Sequence, residues 1–260
     1  MSLPRDVQEF LAGYPGIEDH PSQHANLLFY RNQLRCRPDN LLVEEIHDQR
    51  VHFVHDLAWK GDYNLLEYKH GFIQWLFPIR EYGMNYESQP LQLHERDAMK
   101  SDPDIKRRLL ASYELMLDFY GMRLLDPDTG LLQRSLPPRN FEGQYRNLVR
   151  SMHNNLRISR ILKCLSEMDL EHLNAGFLLH VLNEQSENGE LNSGSIQSSM
   201  DRWWANCLRN ENERAWIKRA IQKVRTDDNF QFTREKYEAA LRSRSESGEF
   251  DERMLHSDLA

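Results

Sequence analysis

Residues 59–78, WKGDYNLLEYKHGFIQWLFP, hold the densest run of large side chains in the chain. Positions on one side of this run recur at steps of four and three residues, which is the period of a helix face: Trp59, Tyr63, Leu66, His70, Ile73 and Phe77. Pro78 cannot continue a helix, and the residue before a proline favours extended geometry. The stretch therefore predicts one buried central helix over about residues 59–77.

The rest of the chain carries helix signals and few strand signals. Asp102 and Pro103 are a strong helix start, and Gly121 is a typical helix stop. No segment shows a convincing alternation of apolar and polar residues bounded by hairpin turns, and residues 126–138 look like a long loop. The sequence predicts an all-α fold, an irregular helical bundle built around the 59–77 helix.

Composition shifts divide the chain into four predicted segments. Residues 1–24 form an N-terminal lead-in, and residues 25–184 form the main helical domain. Residues 185–242 are expected to add further helices to the same domain. Residues 243–260 are rich in Ser, Arg and Glu, which favours a disordered tail.

The bulk numbers exclude several classes of protein. A net charge of −7 argues against a nucleic-acid partner that covers the whole surface, and 40% hydrophobic residues allow a packed core. No stretch has the length or hydropathy of a signal peptide or a membrane span. Three widely spaced cysteines, Cys36, Cys164 and Cys207, favour reduced thiols in the cytosol or nucleus. No motif predicts a cofactor.

Glu67 and His70 form half of a carboxylate-bridged metal motif, because Glu-x-x-His places both side chains one helical turn apart. One hypothesis is a metal-dependent or hydrolytic helical enzyme that uses Glu67, His70 and Glu114. The other is a core polar network of Glu67, His70 and Gln74, since a buried imidazole needs hydrogen-bond partners. The second is favoured, because no second Glu-x-x-His is present.

Two further groups have a functional and a structural interpretation. His47, His52 and His55 could bind zinc, but no cysteine lies near them, and a solvated helix face is the simpler interpretation. Trp203 and Trp204 could anchor a partner, but one inward ring with its neighbour at the rim is more common.

A basic stripe is the most unusual feature of the second half of the chain. Its members are separated by four, three, four and three residues: Arg146, Arg150, His153, Arg157 and Arg160. Residues 134–163 contain seven Lys or Arg and one acid. One interpretation is an anion site for phosphate or an acidic peptide. The other is pairing with acids elsewhere, for example Glu44, Glu45 and Asp48. We predict a mixture, with Arg157 structural and Arg146 and Arg150 exposed.

The central stretch also resembles a known family. The motif Leu-Glu-x-x-His-x-Phe-Ile-Gln-Trp-Leu-Phe-Pro over residues 66–78 is similar to the signature of the opioid growth factor receptor conserved region. Four other pieces agree in the same order: NLLFYRN at 26–32, ASYELMLDFYG at 111–121, NF with YRNL at 140–148, and HNNLRISRIL at 153–162. The similarity covers about residues 25–173.

This resemblance implies a function but no contact residues. It implies a non-enzymatic receptor that binds methionine-enkephalin, restrains cell growth, and lies in the cytoplasm and in or around the nucleus. The implied partner is an enkephalin-like short peptide or an acidic protein. The chain departs from the family between Glu45 and Trp59, where the family is expected to be shorter.

Overall fold

The computed structural model describes residues 2–47, 61–137 and 140–256. The prediction of a predominantly α-helical protein is confirmed. The helices are α1 (Arg5–Leu11), α2 (Ala25–Tyr30), α3 (Val43–His47), α4 (Tyr63–Tyr68), α5 (Phe72–Leu76), α6 (Leu93–Ser101), α7 (Pro103–Phe119), α8 (Phe141–Arg150), α9 (His153–Glu167), α10 (Glu171–Glu187), α11 (Gly194–Arg202), α12 (Glu211–Thr226) and α13 (Arg234–Ser247). The strands are β1 (Met122–Asp126) and β2 (Leu131–Arg134).

The chain divides into two compact units that interleave along the sequence. Unit 1 takes in residues 1–13, 121–166 and 170–260, and unit 2 takes in residues 14–120 and 167–169. Helices α2 to α7 thus belong to unit 2. The strands and the later helices, together with α1, belong to unit 1, apart from the last residue of α9. The segment boundaries expected from composition at residues 24, 184 and 242 stay predictions.

The central stretch of unit 2 forms two short helices where one was predicted. Asp62 caps α4 by accepting a hydrogen bond from the Leu65 amide at 2.9 Å, and Lys69 has extended geometry that ends the helix. Gly71 packs so closely that a Cβ there would lie 2.9 Å from Pro38 Cδ. The side chain of Asn85 also holds the break, since it donates to the Gly71 carbonyl at 3.1 Å. Trp59 and Lys60 lie outside the described residues.

The prediction that this stretch builds the core is nevertheless correct for α5. Phe72, Trp75 and Leu76 are at most 3% exposed. The Trp75 ring lies 5.4 Å from the ring of Phe29 on α2, and its Nε1 donates to the Arg37 carbonyl at 3.0 Å. The core of unit 2 therefore forms where α2 and α5 meet.

Glu95 on α6 is fully buried and fixes the start of α2. Its carboxylate accepts hydrogen bonds from the amides of Asn26 at 2.9 Å and Leu27 at 3.1 Å. It also accepts from the side chains of Asn26 at 2.9 Å and Gln89 at 2.8 Å, and from the Gln92 amide at 3.1 Å. All five of these groups donate, and a carboxylate can accept every one of these hydrogen bonds.

Unit 1 contains a β-hairpin whose turn and second strand lie in residues 126–138, the stretch that the sequence predicted to be a loop. The two strands are antiparallel, with Leu124 opposite Leu132. The turn is closed by Asp126, whose carboxylate accepts from the Thr129 hydroxyl at 2.8 Å. Gly130 then approaches α10 so closely that a Cβ on Gly176 would lie 1.8 Å from the Gly130 carbonyl oxygen. The strands are too short to show a clear alternation in the sequence.

Helix α10 is the centre of unit 1. Its residues from Leu173 to Gln185 are all buried, so it has no polar face for sequence reasoning to recognise. Trp204 is fully buried and Trp203 is only partly buried, which is the inward-and-rim arrangement favoured for this pair. The Trp204 Nε1 donates to the Asn155 carbonyl at 3.0 Å.

The C-terminal segment differs from the disordered tail that the composition favoured. Helix α13 continues to Ser247 and ends at Gly248, whose φ of 80° is left-handed. The chain then turns back, and the ring of Phe250, 8% exposed, stacks on Trp216 at 4.5 Å. Phe250 is joined by the Arg219–Glu252 ion pair and by Lys236, which donates to the His256 carbonyl, so the segment is attached as far as His256.

Candidate functional site

The basic stripe lies on two helices and not on one. Helix α8 ends at Arg150, and α9 begins at His153. Ser151 is the residue that caps the end of α8. Its amide donates to the Asn147 carbonyl at 2.8 Å, and its hydroxyl donates to the Asn147 side chain at 3.0 Å. The expected continuous stripe over Arg146–Arg160 is therefore split.

The part of the stripe on α9 is largely structural. Arg157 is 5% exposed and donates to the Asn154 side chain at 3.2 Å. His153 and Arg160 are half-buried. The expectation that Arg157 is structural agrees with this placement.

The surrounding basic residues are also paired within unit 1. Arg134 donates to Glu184 through two nitrogens, one of them at 2.8 Å. Lys163 lies 2.9 Å from the carboxylate of Asp6. Arg134 and Lys163 are thus neutralised by acids inside the fold.

Arg146 and Arg150 are the exception. Both are exposed on successive turns of α8, and neither forms an ion pair or a hydrogen bond with another part of the described chain. Two guanidinium groups on one helix face repel each other slightly and favour an anion between them. They are the part of the stripe that is available to a ligand.

Two large apolar side chains follow these arginines in the chain. Met152 is 65% exposed and Leu156 is 73% exposed. On a continuous helix both would lie on the side opposite the basic stripe, together with Leu148 and Leu162, which are each 1% exposed. Because the chain breaks at Ser151, the residues of α9 do not continue the face of α8. The helical period therefore does not predict the exposure of Met152 and Leu156. We call Arg146, Arg150, Met152 and Leu156 the basic–apolar surface.

The predicted core network of Glu67, His70 and Gln74 spans the break between α4 and α5. His70 lies in the break between α4 and α5 and is exposed, while Glu67 is half-buried. Only Gln74 is buried, and its side-chain oxygen accepts from the Asn85 amide at 2.7 Å and the Ser88 hydroxyl at 3.1 Å. A metal motif one turn apart needs a continuous helix, which the break removes.

The alternative enzyme site gains no support from geometry. Glu114 is exposed on α7, and His70 is exposed in a loop. No group of three or more His, Cys, Asp or Glu among the described residues is arranged to hold a metal ion. His47 shares a 2.8 Å hydrogen bond with the Ser112 hydroxyl, whereas His52 and His55 lie outside the described residues.

A buried polar cluster in unit 1 was missed by sequence reasoning. His180 Nε2 lies 3.0 Å from the hydroxyl of Tyr145 and 3.8 Å from the Glu184 carboxylate, which pairs with Arg134. Burial lowers the pKa of His180 to about 3, so the imidazole is neutral at pH 7. Burial also raises the pKa of Tyr145 well above its usual value. The members come from β2, α8 and α10. His180 and Glu184 are four residues apart on α10, but no local spacing connects them with Tyr145 or Arg134.

The described residues thus define a predominantly α-helical protein with an exposed basic–apolar surface. No helix in that part of the chain combines the length and the hydropathy needed to cross a bilayer. The family model of the opioid growth factor receptor conserved region matches residues 19–238. The chain belongs to this family.

Several curated relatives carry the names of the family. The chain is 41% identical to the opioid growth factor receptor of Mus musculus over 69% of its own length and 27% of the relative's. It is 41% identical to the receptor of Homo sapiens over 76% of its length and 28% of the relative's. It is 33% identical to opioid growth factor receptor-like protein 1 of Rattus norvegicus over 93% of its length and 50% of the relative's.

The chain spans between about a quarter and half of the length of these curated relatives. No solved structure matches the chain. The receptor names support a receptor-family role for this chain.

Proposed function

We propose that this protein is a non-enzymatic receptor module that binds the carboxylate end of a short peptide on its basic–apolar surface. The observation that carries the proposal is the exposed pair Arg146 and Arg150, which has no partner in the described chain and lies next to exposed Met152 and Leu156. Arginine forks bind carboxylates bidentately, and the apolar pair adds contact area.

Methionine-enkephalin is the peptide that the family resemblance suggests. It ends in a methionine that carries the free carboxylate, so it offers an anion and a flexible apolar side chain within one residue. This combination complements Arg146 and Arg150 together with Met152 and Leu156. Restraint of cell growth, and a location in the cytoplasm and in or around the nucleus, are part of the same proposal.

The test is a titration of the purified chain with three peptides side by side: methionine-enkephalin, its C-terminally amidated form and an unrelated peptide of equal length. We expect the free acid to bind and the amide to bind at least about tenfold more weakly, because a charge-assisted hydrogen bond is lost. Affinity for the acid should also fall as salt rises. Equal binding of the acid and the amide would contradict the carboxylate contact.

The double substitution Arg146→Gln with Arg150→Gln tests the surface itself. It should weaken binding of the acid to the level of the amide and leave the fold intact or slightly more stable, because a like-charge pair is removed. Lys106→Gln with Arg242→Gln is the matched control, since both residues are exposed cations and the net charge change is the same. A loss of several degrees in Tm with unchanged binding would refute the proposal.

An acidic protein partner is the second candidate for the same surface, and the charge of Arg146 and Arg150 favours it. Polyglutamate serves as the probe. Two results together would assign the surface to such a partner. Polyglutamate should bind in a salt-dependent way and lose this binding in the double substitution, and the free peptide should not bind.

A further inference from the structure

A cleft of about 270 Å³ lies in unit 1 between the start of α12 and the segment that follows α13. Trp216 on α12 forms its floor, and Phe250 from the C-terminal segment lies over the indole at 4.5 Å with the rings 23° apart. The two elements are far apart in sequence. The cleft therefore exists only because residues 248–256 fold back on α12.

The indole N–H of Trp216 has no acceptor. Trp216 is 2% exposed, and its Nε1 meets no hydrogen-bond partner among the described residues. A buried donor without a partner is unusual, because it loses its bond to water on folding. An acceptor that enters the cleft as Phe250 moves aside would satisfy it.

The rim of the cleft is acidic, with one carboxylate unpaired. Glu213 lies 2.9 Å from Arg244, and Glu252 pairs with Arg219. Glu249 is exposed, and its carboxylate has no cationic partner in the described chain. A cation is the natural ligand for this carboxylate, because Arg244 and Arg219 already neutralise the other two acids.

We propose that this cleft binds the N-terminal residue of a peptide that begins with an aromatic side chain. The α-ammonium group pairs with Glu249, the aromatic ring takes the place of Phe250 on Trp216, and the first carbonyl oxygen accepts from the Trp216 Nε1. Phe250 fills the aromatic position when no ligand is bound. The cleft shares no residue with the basic–apolar surface, so its test is independent of the function proposed above.

The probe is L-phenylalaninamide, which carries the ring, the ammonium group and the carbonyl, titrated into the full chain by calorimetry. N-acetyl-L-phenylalaninamide is the matched compound without the charge. We expect the amine to bind and the acetylated compound to bind at least tenfold more weakly. Equal affinities, or no heat with either compound at millimolar concentration, would overturn the proposal.

Two substitutions locate the contacts. Glu249→Gln should weaken binding of the amine and leave binding of the acetylated compound unchanged. Glu246 is an exposed acid near the end of α13 that does not line the cleft, so Glu246→Gln should change the binding of neither compound. Trp216→Phe keeps the stacked ring and removes the donor, so it should weaken both compounds. An amine affinity that is unchanged in Glu249→Gln and in a folded Trp216→Phe would place the site elsewhere.

Phe250→Ala tests whether the ring is a displaceable plug. Removal of a competing ring should tighten binding of L-phenylalaninamide, even though it lowers the Tm of the free protein. Because Glu249→Gln acts at the surface, the proposal stays testable if this variant folds poorly. Weaker binding by folded Phe250→Ala would mean that Phe250 is a fixed wall, and the aromatic position would not exist.

Discussion

At the scale of single residues, two buried polar side chains fix positions that apolar packing alone would leave loose. Glu95 joins α6 to the start of α2 through three donors, which are the amides of Asn26 and Leu27 and the side chain of Asn26. His180 contacts Tyr145 beside the Arg134–Glu184 pair. Each side chain has a partner close in the chain, since Gln92 lies three residues before Glu95 and Glu184 lies four residues after His180. The partners that join separate elements, Asn26, Leu27 and Tyr145, lie far away.

Glu95→Gln should destabilise the protein by about 1–3 kcal/mol, although the two side chains have the same shape. The amide introduces an N–H₂ group into a place where every neighbour is already a donor. Urea unfolding followed by circular dichroism measures the change. Glu87→Gln, at an exposed carboxylate of the same unit, is the control and should have no effect.

His180 should make stability depend on pH. Its pKa is lowered to about 3 in the folded state, so the unfolded chain binds the extra proton between about pH 6.5 and pH 3. The stability contributed by the neutral ring is complete above pH 6.5 and is lost as the pH falls. The sign follows because protons bound to the unfolded state favour unfolding.

The measurement compares the free energy of unfolding of the wild type and His180→Gln at pH 7 and pH 5. The wild type should lose about 2 kcal/mol more than the variant over this interval, since other titrating groups contribute equally to both. An equal loss in the two proteins would mean that His180 is charged or solvated in the folded state.

At the scale of elements, close backbone approaches decide where helices break and where the hairpin packs. Gly71 is needed at the break between α4 and α5, and Gly176 is needed where α10 meets the hairpin turn at Gly130. In both places the neighbour is from another part of the chain, so glycine acts through tertiary packing and not through local flexibility.

Gly176→Ala should destabilise the protein by about 3 kcal/mol or more, because its Cβ would lie 1.8 Å from a backbone oxygen that cannot rotate away. Gly143→Ala on α8 is the matched control, since a Cβ there meets nothing within 4 Å. The control should gain about 0.5–1 kcal/mol from helix propensity. Thermal unfolding of both variants checks the opposite signs, and two equal shifts would contradict the packing argument.

Trp75→Ala should cost about 3–5 kcal/mol, as large aromatic deletions in cores do. Trp75 is 3% exposed, packs on Phe29 and donates to the Arg37 carbonyl. Tyr82→Ala, in the following loop, removes an aromatic ring that is 80% exposed and should have little effect. Similar shifts of Tm for the two variants would show that α5 does not centre the core.

At the scale of the whole molecule, the C-terminal segment is part of the folded chain. Phe250 stacks on Trp216, Glu252 pairs with Arg219, and Lys236 donates to the His256 carbonyl at 3.0 Å. Truncation after Gly248 should therefore lower stability by about 2–4 kcal/mol, most of it from lost aromatic burial. Removal of residues 257–260 alone is the control, and equal Tm values for the two truncations would restore the disordered-tail prediction.

The sequence by itself determined the features that depend on neighbouring residues. The Asp102–Pro103 start of α7, the stop at Gly121 and the apolar core of α5 were predictable, because caps and short-range periodicity act within one or two turns. For Trp203 and Trp204 the sequence predicted one inward ring but not which one. The family motif is likewise a property of the sequence.

Only the tertiary structure decided the break at Lys69–Gly71, the hairpin, the exposure of His70, and the basic–apolar surface. The stripe from Arg146 to Arg160 shows the reason: a period of 3.6 residues predicts one face only while the helix continues. Hydrogen bonds at Ser151 end α8, and from that point Met152 and Leu156 face solvent while Arg157 is buried. Contacts with Pro38 and Asn85 hold the break at Gly71, whereas the Ser151–Asn147 hydrogen bonds that close α8 are local. A periodic pattern of apolar residues records neither kind of contact.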